Sequence, residues 1–360
     1  MRTGSTPGPS KSVQSLTHVD APDCRKIQVC SPPTFKAEAS AFVRNLLSIR
    51  PTSLHCYTME AFHVDSSVSS LSEKRARTSP SRPTLSVVIP TRGRPERLGV
   101  SLAALRRQTV PPLEIIVVDD GSPDAAAVAT VVERGGARVL RQDGAGVAAA
   151  RNAGVRVARG ACVAFTDDDC EAAPDWVENL TGAIAAGADA VGGRMINACP
   201  ENPFDTALQV IQDFLSLTGT NSGSRATYAP GANLACKTEL LLALPFDERY
   251  RGAAEERDWC LRLIELGHVL VSEPAAIVYH RQELDFRSFW RKNVHYGRGA
   301  YTFRRAARQT RPLERPEFYR ELVRHGFAAG TAVGILVLVS QVATALGFLE
   351  ARATASWPPR

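Results

Sequence analysis

Lysine is almost missing from most of this chain. Lys11, Lys26, Lys36 and Lys74 lie near the start, and beyond position 83 only Lys237 and Lys292 remain. Basic charge there is arginine, and it is not interleaved with aromatics, so nucleic acid is not the expected partner. No CxxC spacing occurs among Cys24, Cys30, Cys56, Cys162, Cys170, Cys199, Cys236 and Cys260. Neither a zinc site nor a disulfide framework is indicated, and a reducing compartment is expected. Cys162 and Cys236 sit among apolar neighbours and read as small core residues. The opening "MRTGSTPGPSKS" lacks the apolar centre of a signal peptide. A glycine- and lysine-rich phosphate loop is also absent, because "PTRGRPERL" after the first β-rich run has one glycine and no lysine.

What is present suits a globular protein. The 360 residues are 44% hydrophobic and 22% charged, enough for one large or two modest domains. The net charge of +6 would suit an anionic substrate or a membrane surface. Residues 1–82 are rich in Ser, Pro and Thr and show no sustained period, so they are expected to be disordered.

At "LSVVIP" (85–90) the texture changes. This run, "EIIVVDD" (114–120), "ARVLRQ" (137–142) and "ACVAFTDDD" (161–169) alternate with segments whose apolar residues are spaced by three and four. That order predicts an α/β fold, a mostly parallel, Rossmann-like sheet with helices on both faces. Ligands of such sheets bind beyond the carboxyl ends of the strands. Thr91 with Arg92, Asp119 with Asp120, and Asp167 to Asp169 punctuate those ends, so all three clusters should converge on one edge. From about 187 the alternation ends. "ADAVGGRM" reads as a strand, "PFDTALQVIQDFLSL" as an amphipathic helix, and "AAEERDWCLRLIELGH" as a helix with acids in its first turn and Gly267 as its stop. "AAIVYH" (275–280) reads as a strand.

The run Asp167-Asp168-Asp169 needs explaining. Two carboxylates about 4 Å apart repel by roughly 4 kcal/mol at an effective dielectric near 20. Either the run is a solvated turn or a cation neutralises it. Hard divalent cations such as Mg²⁺ and Mn²⁺ want oxygen ligands, and Mg²⁺ is typically held by one or two carboxylates plus phosphates. In an extended chain Asp167 and Asp169 would share one side and Asp168 would face the other.

Six segments, "LSVVIPTRGRPERL", "PLEIIVVDDGSPD", "GVAAARNAGVRVARGACVAFTDDDC", "GANLACKTELL", "PFDERYRGAAEERDWCLRLIELG" and "AAIVYH", resemble in order and spacing the family-two glycosyltransferases of GT-A fold. The resemblance covers about residues 84–300. It implies a metal-dependent, inverting sugar transfer from a nucleotide diphosphate sugar to a hydroxyl acceptor, with Mn²⁺ or Mg²⁺ as cofactor. By the same resemblance Pro90, Thr91, Asp119 and Asp120 contact the nucleotide, with Arg151 and Asn152 ahead of the acidic strand. Asp167 lies on the ribose or metal side with Asp168 beside it, Asp169 binds the cation, and Asn233 of "GAN" lies beside the sugar. Where the family has Glu-Asp, this chain has Glu255-Glu256, so either can be the base or can complement a helix N-terminus. His280 is a further candidate metal ligand, or a hydrogen-bonded strand end. Arg291, Lys292 and Arg298 can face a diphosphate, lipid headgroups or solvent.

The last feature is Phe327–Leu349, 23 residues with no ionisable side chain. As one helix it would extend roughly 35 Å, against a hydrocarbon core of about 30 Å. The expected division is a transfer domain over 83–300, a basic juxtamembrane segment over 301–326, a membrane helix over 327–349 and a tail over 350–360. The arginines before that helix place the large portion in the cytoplasm, with a lipid-linked glycan or saccharide as acceptor. A soluble packed helix is the alternative, and Gly330 and Gly334 suggest helix pairing. Two further functions compete, a nucleotidyltransferase on a similar sheet and a non-catalytic sugar-nucleotide-binding membrane protein. The missing phosphate loop weighs against the first and the retained acid pairs against the second.

Overall fold

The computed structural model describes residues 82–218, 225–250, 252–307 and 314–354. The disorder expected for 1–82 falls, apart from Arg82, outside these residues. Arg82 itself pairs with Glu178 at 2.9 Å.

The run "LSVVIPT" forms β1 (Leu85–Thr91), buried along its whole length. A continuous apolar run is what a central strand covered on both faces requires. Val87 and Ile89 face one cluster, with Leu98, Leu102, Trp176 and Leu180. Val88 faces the other, with Ile116, Val155, Phe165 and Trp259. Helices α1 (Pro95–Leu105), α2 (Ala125–Arg134) and α3 (Val147–Val157) follow β1, β2 (Glu114–Asp120) and β3 (Arg138–Gln142). At Gly154 a Cβ would fall 2.4 Å from Val88 Cγ1, so glycine lets α3 lie directly on the sheet.

The sheet has eight strands in the order β3-β2-β1-β4-β7-β6-β8-β5, with β4 Cys162–Phe165, β5 Cys170–Ala172, β6 Ala190–Asn197, β7 Leu234–Lys237 and β8 Leu270–His280. Strands β1 to β4 pair in parallel, as do β6 and β8. Strand β7 runs antiparallel to β4 and β6, and β5 antiparallel to β8. The regular half therefore carries the three polar strand ends, and the mixed half returns the chain beside them. Helix α4 (Trp176–Ala185) precedes β6, α5 (Pro203–Thr218) follows it, and the short α6 (Thr238–Ala243) follows β7. Helix α7 (Glu255–Glu265) ends near Gly267, whose φ is +86°, as the sequence suggests. Cys162, Cys236 and Cys260 are buried free thiols.

The C-terminal part departs from the expected boundaries. Helix α8 (Phe286–Ala306) runs unbroken through position 300. The apolar 23-mer is not one helix. Helix α9 (Pro316–Ala329) ends at Gly330, whose φ of +139° suits glycine alone, and α10 (Thr331–Thr354) begins after it. Hydropathy could not show this break, because Ala329, Gly330 and Thr331 are uncharged. Gly334 pairs with α9 of the same chain, where a Cβ would meet the ring of Phe327 at 2.5 Å, so it is not free for pairing with a second molecule. Among the described residues α10 is the one helix long and apolar enough to cross a membrane.

Candidate active site

The three polar strand ends, two of them acidic, do converge, and each is engaged differently. Asp119 accepts from Ser122 N at 2.8 Å and from Arg141 Nη1 at 2.7 Å. Asp120 accepts from Gln142 Nε2 and from the amides of Ala145 and Gly146, at 2.6–3.0 Å. These bonds fix the turns after β2 and before α3. Pro90 and Thr91 close β1, and Thr91 Oγ1 donates to Asp168 Oδ2 at 2.6 Å.

The alternation expected for the acidic run does not hold. Strand β4 stops at Phe165, and Cys170 N donates back to Asp167 O at 3.2 Å, so 167–170 is a turn. Asp167 is half-buried, Asp168 fully buried, and Asp169 nearly so. Guanidinium groups neutralise the run. Arg94 contacts Asp168 Oδ1 at 2.5 Å and Asp169 Oδ2 at 2.8 Å, while Arg151 Nη2 reaches Asp167 Oδ1 at 3.3 Å. Burial pushes the Asp168 carboxyl up to about 6 despite Arg94 and Thr91. Burial also raises Asp169, but His280, Arg94 and Lys292 outweigh it and hold that group below the ordinary carboxylate range. Sequence reasoning missed Arg94. It is the N-cap residue immediately before Pro95, which opens α1.

Strand pairing sets Cys170 opposite His280, and His280 Nε2 lies 3.3 Å from Asp169 Oδ1. Asp169, Cys170 and His280 form a compact set of possible ligand atoms. Burial keeps the Cys170 thiol well above its usual pKa, and a protonated thiol is a poor ligand for a hard cation. The oxygen–nitrogen separation is close to that of neighbouring ligands on a cation with bonds of about 2.1 Å. The pair Asp169–His280 therefore offers a carboxylate oxygen and an imidazole nitrogen at a separation that fits one divalent cation.

A second ion cluster joins the acidic run to α7. Arg151 is buried on α3, with Phe165 and Phe246 5.9 and 5.8 Å from its guanidinium carbon. Its Nη1 donates to Glu255 Oε1 at 2.6 Å. Burial opposes charge on Arg151, but Glu255, Asp167 and Glu256 hold its pKa above the usual value. Arg151 Nε and Glu255 Oε2 are buried without a hydrogen-bond partner among the described residues. Glu256 accepts from Tyr228 Oη at 3.2 Å. Burial, then the neighbouring Glu255, raise its carboxyl to about 8. Ala254, the N-cap of this helix, has φ +73°, a strained value for alanine. Asp258, paired within α7 to Arg262 at 2.8 Å, accepts from Tyr250 Oη at 3.2 Å, and Trp259 Nε1 donates to the Leu244 carbonyl at 2.7 Å; these two outside contacts position α7.

Two expected contacts are spent inside the fold. Asn152 clips Phe246, donating to its carbonyl at 2.9 Å and accepting from its amide at 3.0 Å. Asn233 is fully buried; it accepts from Trp176 Nε1 and donates to the carbonyls of Arg194 and Ala276. The structure does not bring either side chain to the open site. On α8 the basic residues separate. Lys292 turns toward the site, bonded to Gln282 and close enough to lower the pKa of Asp169. Arg298 instead pairs with Glu350 at 2.9 Å.

An α/β sheet with carboxylates and guanidiniums gathered at its strand ends, closed by an antiparallel return, is the GT-A class of fold. A mannosyltransferase from Pyrobaculum calidifontis, solved with GDP-mannose and Mn²⁺, superposes with TM-score 0.50 at 20% identity, covering 78% of each chain. That likeness is one of fold. Residues 86–238 match the sequence model of glycosyl transferase family 2. The pre-mycofactocin glycosyltransferases of two Mycobacterium tuberculosis strains are each 30% identical over 236 residues, covering 63% of this chain and 48% of theirs. The chain spans about half the length of these curated relatives. Both sequence matches are to glycosyltransferases.

Proposed function

We propose that the chain is a metal-dependent, inverting glycosyltransferase that moves a sugar from a nucleotide diphosphate sugar to a hydroxyl acceptor. The observation that carries this reading is Arg151, which ties Asp167 beside the metal pair to Glu255 beside Glu256. A donor-binding edge and a basic carboxylate are thereby held in one rigid cluster.

Thr91, Asp119 and Asp120 border the place for the nucleoside, and Pro90 shapes the end of β1. Asp169 and His280 would hold Mn²⁺ or Mg²⁺, which when bound stabilises the charge on the departing diphosphate. Arg94 and Lys292 add fixed positive charge beside it. Glu255 is committed to Arg151 and serves as a positioning residue. Glu256 is less buried than Glu255 and has a raised pKa, which suits a general base near neutral pH. Glu256 takes the acceptor hydroxyl's proton as that oxygen bonds to the anomeric carbon. The bond from that carbon to the diphosphate oxygen breaks on the opposite face, inverting the configuration.

The acceptor in this reading is a membrane-borne saccharide or lipid-linked glycan, reached from the cytoplasmic side, with α10 as the attachment. The test is a panel of nucleotide sugars, assayed for binding and hydrolysis with Mn²⁺, Mg²⁺ or chelator. Asp169→Asn should lose metal-dependent turnover and Mn²⁺ affinity while its circular dichroism is unchanged. Full activity in excess chelator would remove the metal from the scheme.

A further inference from the structure

Helix α10 has two unlike long faces. Val333 and Val337 lie in an apolar cluster with Phe214 of α5, Phe289 of α8 and Leu322 of α9. At Gly347 a Cβ would fall 1.9 Å from the Val294 carbonyl oxygen, and at Gly297 one would fall 2.0 Å from that of Thr344. Helices α8 and α10 thus touch at the level of their backbones. The opposite face is bare and apolar. Ile335, Leu338, Val342, Leu346 and Leu349 are 44–56% exposed, and their spacing of three and four makes one stripe.

We propose that α10 lies in the plane of an anionic membrane surface, stripe downward, and does not cross the bilayer. The inference rests on the membrane reading of this helix given above and changes its geometry. A crossing would carry α8 along, because the two helices are in backbone contact. Helix α8 holds Arg287, Arg291, Lys292, Arg298, Arg304 and Arg305 and no acid. Charged groups at mid-bilayer are strongly unfavourable, and pulling α10 away would open the cluster around Phe289 instead.

An in-plane position meets neither obstacle. Arg287 and Arg291 lie seven and three residues before Val294, so they share its helix row; Arg298, four after it, is on the same row but is paired with Glu350. All three are exposed. An apolar stripe bordered by an arginine row matches acyl chains beneath anionic headgroups. A second copy of the chain fits less well, because two-fold pairing through the stripe would bring two such rows to one interface.

The test is flotation of the purified full chain with sealed vesicles of phosphatidylglycerol and phosphatidylcholine, or of phosphatidylcholine alone. Association should be about tenfold stronger with the anionic vesicles. It should be reversed by alkaline carbonate and lost in Val342→Glu and in Arg287→Glu/Arg291→Glu. Thermal shifts with GDP or UDP plus Mn²⁺, read on the same variants, should not change. A peptide tag after Arg360, in the membranes of expressing cells, should be cut by protease from the side that also exposes the sheet domain. Carbonate-resistant membranes with a protected tag would overturn the proposal in favour of a span. A dimer by light scattering that Val342→Glu dissolves would overturn it in favour of a second copy, as would equal binding to neutral vesicles for the arginine row. Nucleotide binding that fails while flotation persists would sink the enzyme reading and leave this one standing.

Discussion

Arg151 Nη1 donates to Glu255 Oε1 at 2.6 Å, across 104 residues of sequence and between two side chains with almost no exposure. This bond joins α3, which lies on the regular half of the sheet, to the first turn of α7. A buried guanidinium placed there has to be balanced, and Asp167 and Glu255 balance it.

Removing one partner of such a pair leaves a charge buried and alone. Arg151→Met should therefore destabilise the fold by about 3–5 kcal/mol. The double variant Arg151→Met/Glu255→Gln should recover part of that loss, and neither should transfer sugar. Urea unfolding of the set checks this, and equal stability of the single and double variants would deny the coupling.

Glu256 sets a pH dependence of opposite sign for rate and stability. The base must be ionised, so kcat should fall as pH drops below about 8, and Glu256→Gln should lower kcat by several orders of magnitude with little change in donor affinity. For folding, a raised carboxyl pKa means the folded state binds the proton more tightly. The contribution of Glu256 to stability is then complete below the ordinary glutamate pKa and is lost as pH rises toward about 8. Unfolding free energies on either side of that window should converge in Glu256→Gln. Should Glu255→Gln abolish turnover while Glu256→Gln does not, the base would have been assigned one residue too late.

Arg94 supplies the charge that Asp168 needs. Its side chain is 46% exposed, so losing it should cost less than losing Arg151, about 1–2 kcal/mol. Asp168 already has a raised pKa near 6, which means its stabilising contribution is lost as pH climbs from the unfolded value through 6. Arg94→Gln should extend that loss upward, so the melting temperature should drop more at pH 7.5 than at pH 5. A pH-independent drop would show that Arg94 acts through packing.

Asn152 gives a contrasting case. Its clip satisfies both backbone groups of Phe246, and leaving them unmet costs about 1–3 kcal/mol each. Asn152→Ala should lower the melting temperature and leave nucleotide affinity of the remaining folded protein unchanged. Weakened nucleotide binding at full stability would return Asn152 to the donor site.

The parallel strands were legible because local chemistry writes them. "LSVVIP" and "EIIVVDD" are β-branched runs ending in polar residues, and a run with that composition has few other ways to be buried. The acidic strand ends followed from the same pattern. The segment "GANLACKTELL" reads as a strand followed by a helix, but the antiparallel direction of β7 was not legible, since "LACK" has no feature that sets it. Asn233 and Asn152 were misplaced for a related reason. An amide side chain looks the same in sequence whether it meets a ligand or a backbone carbonyl.

The sequence by itself determined which segments are buried, where the carboxylates cluster and which residue types are available for phosphate and proton chemistry. These follow from periodicity and composition, which are short-range. Tertiary structure alone decided that Arg94 and Arg151 neutralise the acidic run, that Lys292 faces the site while Arg298 meets Glu350, and that α10 begins after Gly330 and lies against α8. Apart from the local break at Gly330, each is a charge balance or a backbone contact between residues from 16 to more than 100 positions apart. Such pairings depend on which elements pack together, and hydropathy does not carry that information.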